Sequence, residues 1–336
     1  MEYQAILARP EYDFLRTDPR LKHICYLTLS GSHAYGTNVE GSDLDIRGVA
    51  LEDTDDLLLG RGLEQVEDRT TDTVIYGLQK FVGICRDCNP NSVELLGTRP
   101  EHILYMNPIG QMLRESASLF LTKRAGQTFA GYATAQLRRI QNALAHDRYP
   151  QAEKELHIKK SIDSMMMILR EQYHLADGDF TFGLGDVPDR PGEKEVTVSV
   201  RVEGMSLRRF IAVNSDLRTM LRNYDKLNHR NRKKDDGHLY KHAMHLVRLY
   251  LTGIDVLEGR GIRTYRADDL PLLMKIRRQE MALEEVFALA EKLEERLRQA
   301  FTTSALPSAP DHAAIDALLL KAYARRNEVS YYGDKE

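Results

Sequence analysis

A short stretch near the N-terminus contains the residue types that handle phosphates and metal ions. Gly31 and Ser32 form a Gly–Ser turn directly after the apolar run 24–29, and Asp43 and Asp45 follow a short polar segment. Glycine lets the backbone approach a ligand closely, so such a turn can direct amide groups and a hydroxyl at a phosphate. In an extended strand, residues i and i+2 project from one face, which predicts that the two carboxylates lie side by side. Carboxylates in this arrangement suit Mg²⁺, which takes hard oxygen ligands together with substrate phosphates.

Three strands are predicted around these residues. The runs 24–29, 44–50 and 72–76 are apolar or rich in β-branched residues. Asp72, at the start of the third strand, is the candidate third carboxylate of a two-metal site, whereas Asp68 and Glu94 are weaker candidates. Gly–Ser turns are mostly only turns, and an Asp-x-Asp pair is often solvated surface. Their combination at this spacing is more specific and predicts nucleotidyl transfer from a triphosphate.

Composition limits the class of protein. The 336 residues carry a formal net charge of −3, so no basic surface extends over the whole molecule, and any nucleic-acid contact must be local. The sequence has no run of eighteen apolar residues, and its first residues lack a basic-then-apolar signal pattern. Three cysteines, an odd number, fit a reducing compartment. We therefore expect a soluble cytoplasmic protein without membrane contact.

The character of the sequence changes near residue 108. Residues 1–107 are predicted to form a catalytic domain of mixed α and β structure, and residues 108–336 a helical domain, so the fold class is α+β. Within residues 177–212, several glycines and prolines precede an alternating run at 195–202, which predicts a β insertion with a hairpin. Helical periodicity predicts helices at 109–122, 129–147, 152–175, 214–227, 238–259, 268–279, 282–302 and 311–326.

One predicted helix carries a face with three basic side chains. Lys241, His245 and Arg248 are spaced i, i+4 and i+7, and this face could bind the triphosphate across a cleft from the carboxylates. Alternatively, His245 is a hydrogen-bonded core histidine and Arg248 a buried partner for an acid. The basic run 229–234 is either a solvated linker or a contact for nucleic-acid phosphates.

Several stretches together resemble one family. GSHAYGT with GSDLDIRGV, DTVIYGLQKF, NPNSVELL, GYATAQLRRI and KHAMHLVRLYLTGIDVLEGRGI are similar to the RNA-ligase-associated, or YcgL-like, nucleotidyltransferases of the DNA polymerase β superfamily. The resemblance implies a nucleotidyltransferase palm, a small mixed sheet with flanking helices, followed by a helical domain. Segment 177–235 departs from the pattern of this family.

The resemblance also assigns roles to residues. Gly31 and Ser32 match the phosphate-binding turn, Asp43 and Asp45 match the metal-binding pair, and Asp72 fits the position of the third carboxylate. Lys241, His245 and Arg248 match the helical KHxxHLxRL signature, which is assigned to nucleotide binding. The expected reaction moves NMP from an NTP to an acceptor hydroxyl with two Mg²⁺ ions, and the expected acceptor is an RNA end. The alternatives are transfer to a protein or a small molecule, and a catalytically silent nucleotide-sensing module.

Overall fold

A mixed five-stranded sheet is built from the apolar runs of the N-terminal part of the chain. Its strands are β1 (Ile24–Leu29), β2 (Ile46–Ala50), β3 (Gln65–Asp68), β4 (Thr73–Gly77) and β5 (Ile103–Met106). The order across the sheet is β3-β4-β2-β1-β5, with β2 and β4 parallel and the other neighbours antiparallel. The predicted strand at 24–29 is confirmed. The next two predicted strands begin at Ile46 and Thr73, so Asp45 and Asp72 directly precede them.

The computed structural model describes residues 3–148, 178–186, 194–201, 203–214 and 236–334. Contacts divide the chain into two units, one formed by residues 1–140 together with 236–336 and the other by residues 141–235. The predicted domain boundary after residue 107 falls inside the first unit.

The first half of the chain has mostly short helices, and the longer helices follow. They are α1 (Phe14–Thr17), α2 (Gly31–Tyr35), α3 (Thr54–Leu58), α4 (Leu78–Arg86), α5 (Pro90–Leu96), α6 (Pro108–Glu115), α7 (Arg124–Arg148), α8 (Asp236–Leu257), α9 (Leu270–Arg277), α10 (Leu283–Thr303) and α11 (His312–Ala324). A small mixed sheet followed by helices is the fold class predicted from the sequence. Among the described residues, no helix combines the length and apolarity needed to cross a membrane.

Two details of the sequence prediction were wrong. The mixed composition of residues 51–70, with two acidic pairs and Gly60-Arg61-Gly62, predicts a loop, but this segment contains α3 and the edge strand β3. The predicted helix 109–122 is interrupted, because α6 ends at Glu115 and a 3₁₀ turn follows at Ala117–Phe120. The predicted helix 152–175, most of the predicted helix 214–227 and the basic run 229–234 lie outside the described residues.

The core lies on both faces of β1, whose six residues are all buried. On one face, Leu27 and Leu29 pack with Ile46 and Ile75 of the neighbouring strands. Burying one apolar side chain of this size stabilises the fold by roughly 1.5–3 kcal/mol. The sheet is therefore a rigid platform for residues at the strand ends.

The long helices pack closely at a glycine. A Cβ atom at Gly253 of α8 would lie 2.9 Å from Cβ of Phe129 of α7 and 3.0 Å from a methyl carbon of Leu297 of α10. The absence of a side chain there lets α7 and α8 approach each other. This packing fixes α7 and α8 as neighbours.

The C-terminal segment packs on the same sheet. The amide of Tyr332 donates to the carbonyl of Ile24 at the start of β1. Arg326 donates to the carbonyl of Glu52, just after β2, and pairs with Asp53. The last residues of the chain thus complete the unit that the first residues begin.

The second unit contains an antiparallel hairpin of β6 (Phe180–Asp186) and β7 (Lys194–Val200), in which Phe180 pairs with Val200. This hairpin confirms the β insertion predicted within residues 177–212. A helical stretch at residues 207–214 follows it.

Candidate active site

The turn after β1 places backbone close to a carboxylate. Gly31 begins α2 with φ +57°, a left-handed conformation that favours glycine. A Cβ at Gly31 would lie 2.7 Å from Cγ of Asp45 and would overlap its carboxylate. The amide of Ser30 also donates to the carbonyl of Asp45, at 2.8 Å. Glycine is therefore required for the turn to pack against Asp45.

The parallel pairing of β2 and β4 brings two predicted carboxylates together. Ile46 pairs with Thr73, so the residues directly before them, Asp45 and Asp72, are neighbours at the same end of the sheet. The amide of Ile46 donates to the carbonyl of Asp72, and the two carboxyl groups share a hydrogen bond. Asp72 has φ +46°, which is unusual for a residue other than glycine.

Arg47 lies between the two carboxylates. Its guanidinium is 3.6 Å from Asp45 and 3.1 Å from Asp72, and it also donates to the carbonyl of Asp72. Arg47 was not predicted from the sequence as a site residue. Its position two residues after Asp45, and hence on the same face of an extended chain, was the signal that could have found it.

The pair is electrostatically strained. Burial and the neighbouring Asp72 raise the pKa of Asp45 to about 6, although Arg47 and Lys241 oppose this shift. Burial also disfavours the charged form of Asp72, but its hydrogen bond with Asp45 and the Arg47 guanidinium outweigh burial and lower its pKa. Below about pH 6, the two carboxyl groups therefore hold one proton between them.

Asp43 and Ser32 lie outside this arrangement. Asp43 is exposed in the irregular segment before β2 and does not line the cavity that opens in front of Asp45. Ser32 is half-buried in α2 and, like Asp72, does not line it either, whereas Ser30, Gly31 and Asp45 do. The structure thus brings Asp45 and Asp72 together but does not bring Asp43 to them. The predicted roles of Asp43 and Ser32 stay predictions.

A cleft of about 1020 Å³ opens in front of Asp45. One wall is the sheet face with Arg47, Val74 and Tyr76, together with Gln65 and Glu67 of the edge strand β3. The other wall is formed by α7 and α8, with Gln127, Thr128, Gly131, Tyr132, Ala135, Gln136 and Arg139 on α7 and Lys241, His242, His245, Arg248 and Leu249 on α8. We call this cavity the cleft.

The basic residues on α8 differ in how deeply they are buried. Lys241 is exposed at the cleft and close enough to both carboxylates to affect their pKa values. Burial, Arg248 and Lys241 hold the pKa of His245 well below its ordinary value, so its imidazole is neutral at pH 7. His242, which sequence reasoning missed, also lines the cleft, and its Nδ1 lies 2.8 Å from Oε1 of Gln136. Lys241 is therefore the cation of the predicted trio available to a phosphate.

Arg248 is held by an acid beneath the cleft. Its guanidinium is 2.5 Å from the carboxylate of Glu94, and both side chains are at most 5% exposed. The Tyr35 hydroxyl donates to the same carboxylate at 2.8 Å, and the guanidinium lies 3.7 Å from the centre of the Tyr35 ring. This network joins α2, α5 and α8 under the site. Arg248 is thus a buried partner for an acid, which is the alternative that the sequence analysis considered for this residue.

Two comparisons with known proteins find similar sequences. Residues 11–173 match the family described as RlaP, RNA repair pathway DNA polymerase beta family. The chain is also 25% identical over 119 residues to an uncharacterized 38.9 kDa protein in the nrdC-mobD intergenic region of Enterobacteria phage T4, an alignment that spans 32% of this chain and 35% of the phage protein. No solved structure matches the chain. The match, which covers just under half of the chain, supports a polymerase β-like nucleotidyltransferase assignment for residues 11–173.

Proposed function

We propose that this protein transfers a nucleoside monophosphate from an NTP to an acceptor hydroxyl and releases pyrophosphate, and that the acceptor is an RNA end. The observation that carries the proposal is Asp45, which lines the cleft together with Gly31 and Lys241 and has Asp72 as its neighbour outside the cleft lining. Carboxylates for a metal ion, a glycine turn and a lysine for the phosphates are the parts that phosphoryl transfer needs.

The residues present fit one magnesium ion. The repulsion between Asp45 and Asp72, which helps to raise the pKa of Asp45, would be offset by a further cation. Among the described residues, no three His, Cys, Asp or Glu side chains form a metal site by themselves. Mg²⁺ commonly binds one or two carboxylates and takes its other ligands from substrate phosphates and water. When bound, it would supply charge stabilisation for the triphosphate. The second ion and Asp43 as its ligand stay predictions.

Residues of this chain would bind the phosphates and position the site. Lys241 and Arg47 would bind phosphate oxygens, and the Gly31 turn would let the phosphates approach the backbone. The acceptor hydroxyl attacks the α-phosphorus, the bond to the bridging oxygen breaks, and pyrophosphate leaves. The hydroxyl proton passes to a carboxylate or to water. The network of Tyr35, Glu94 and Arg248 would have a positioning role, because its buried contacts fix α2 relative to α8.

Two alternative functions are compatible with the same site. Transfer of AMP to a protein or a small molecule uses the same donor half of the cleft, and a silent nucleotide sensor would keep binding without turnover. The description of the matching family favours RNA.

The experiment is incubation of the protein with each α-³²P-labelled NTP, Mg²⁺ and total cellular RNA. Asp45→Asn and Asp72→Asn are the test variants, and Asp316→Asn, an exposed acid on α11, is the matched control. We expect label on RNA that is lost in both test variants, by at least about 100-fold, and kept in the control. Label on protein would move the proposal to a protein acceptor. No label with NTP binding retained would refute transfer and favour the sensor.

A further inference from the structure

The cleft extends well beyond the carboxylates. Arg47 of β2 pairs with Val74 of β4, which pairs with Glu67 of β3, so these side chains share the face of the sheet that lines the cleft. In the next row, Tyr76 pairs with Gln65. Since neighbouring strands lie about 4.8 Å apart, the floor continues for roughly 10 Å from β2 to the edge strand. That is about the span from a nucleotide's phosphate across its ribose to its base.

Two tyrosines line this extension from opposite walls. Tyr76 stands on the sheet, and Tyr132 on α7 is held by a 2.9 Å hydrogen bond from Nδ2 of Asn89 to its hydroxyl. Tyr132 is close enough to raise the pKa of Tyr76, although burial is the main cause of that shift. Both are described residues, and no ring contact joins them. Tyr76 has Phe81 as a ring neighbour, with centroids 6.3 Å apart, and both tyrosines are half-buried and line the cleft.

The charges of the cleft are unevenly distributed. Lys241 and Arg47 lie close to Asp45, at the end where phosphates would bind. At the other end, the one ion-pair partner of Glu67 among the described residues is Arg69, at 3.8 Å, and Glu67 would repel phosphate. Gln65 and Gln127 lie near it, and within the described part of the chain their side-chain amides make no hydrogen bond. Amide and carboxylate groups of this kind recognise the edges of bases.

We propose that Tyr76 and Tyr132 form a nucleobase subsite at the β3 end of the cleft, where a base stacks on a tyrosine ring while its phosphates lie towards Lys241. The proposal rests on the proposed function and names the substrate class of the same site. Stacking on aromatic side chains is how single-stranded nucleic acids and nucleotides are held with little sequence preference. The ligand is the base of the donor NTP or the terminal base of the acceptor strand.

The test measures binding in separate titrations, so it does not depend on turnover. Calorimetry with Mg²⁺ compares each NTP with tripolyphosphate, which has no base. It also compares a single-stranded hexaribonucleotide with the same strand abasic at its 3′ end. The variants are Tyr76→Leu and Tyr132→Leu, with Tyr76→Phe and Tyr132→Phe as matched controls that keep the ring. We expect the leucine variants to bind a ligand with a base roughly 5- to 150-fold more weakly, and to bind tripolyphosphate unchanged.

The pattern of losses identifies the source of the base. A loss with NTPs assigns the donor base, a loss with the oligonucleotide assigns the acceptor base, and a loss with both supports a subsite that each enters in turn. Unchanged binding of all base-containing ligands would overturn the proposal. Equal loss of tripolyphosphate binding would overturn it as well, because the tyrosines would then only support the cleft. Absence of transfer with these losses present would refute the proposed function and leave the subsite standing.

Photocrosslinking of the unmodified protein tests the subsite even when the leucine variants fail to fold. 5-Iodo-UTP and an oligonucleotide ending in 5-iodouridine are bound and irradiated, and the adducts are located by mass spectrometry. Crosslinks to Tyr76 or Tyr132 support the subsite. Crosslinks only to other residues, or none from a bound ligand, overturn it.

Discussion

The buried pair of Arg248 and Glu94 allows a sharp test of which basic residues bind substrate. In Arg248→Met, the Glu94 carboxylate, which is 2% exposed, keeps the hydroxyl of Tyr35 as its one partner within the described part of the chain. Removing one partner of a buried ion pair costs about 3–5 kcal/mol, because the other charge stays buried. Replacing both partners with apolar residues, as in Arg248→Met/Glu94→Leu, costs less than the single change for the same reason. We therefore expect the single variant to be the less stable of the two.

The assay is urea unfolding followed by circular dichroism, with the binding of tripolyphosphate measured at low urea. Arg138→Met, an exposed position on α7, is the matched control and should change the free energy of unfolding by less than about 0.5 kcal/mol. A stable Arg248→Met protein that had lost tripolyphosphate binding would refute the reasoning. Arg248 would then be a phosphate ligand, as the helical signature suggested, rather than a support for α2 and α8.

Three further results are expected. Gly31→Ala should cost about 1–2 kcal/mol from its left-handed backbone, seen as a lower melting temperature, and should reduce transfer at least about 100-fold because the new Cβ displaces Asp45. Lys241→Met should weaken tripolyphosphate binding about 10-fold or more in calorimetry, whereas the exposed control Lys275→Met should not. Burial and Asp72 raise the pKa of Asp45 from 3.8 to about 6, so folding takes up a proton and the metal-free protein loses stability as the pH rises through 6. The melting temperature of Asp45→Asn, relative to that of the unmodified protein, should therefore be higher at pH 7.5 than at pH 4.5. A difference in melting temperature that does not change with pH would contradict this account.

Much of the fold follows from local pattern. The continuous apolar run of β1 and the β-branched run of β4 predict buried strands, and the helical periodicity of the second half predicts α8 and α10 to within a few residues. Asp45 and Asp72 could be identified because each lies at the beginning of a predicted strand, and the parallel register of the observed strands makes them neighbours. These features depend on residues close together in the sequence.

Other features depend on contacts that no local pattern contains. The strand β3 has a single buried residue, Val66, so its alternation is too short to predict a strand. The partner of Arg248 is Glu94, more than a hundred residues earlier, and only the packing of α5 against α8 reveals the pair. The cleft-facing residues Tyr132, Gln136 and Arg139 were missed as a set because an i, i+4, i+7 spacing of polar residues equally describes a solvated helix face.

The way the first unit is divided along the chain has a consequence for its synthesis. The sheet and α7 are complete by residue 148, but α8, which carries Lys241, and the C-terminal segment that packs on β1 emerge only after the intervening second unit. At typical ribosomal rates of about 5–20 residues per second, the N-terminal part waits roughly 10–40 s for these pieces. During that time, the nascent chain exposes the apolar faces that α8 and α10 later cover. A fragment ending near residue 148 should therefore associate with chaperones and bind no triphosphate.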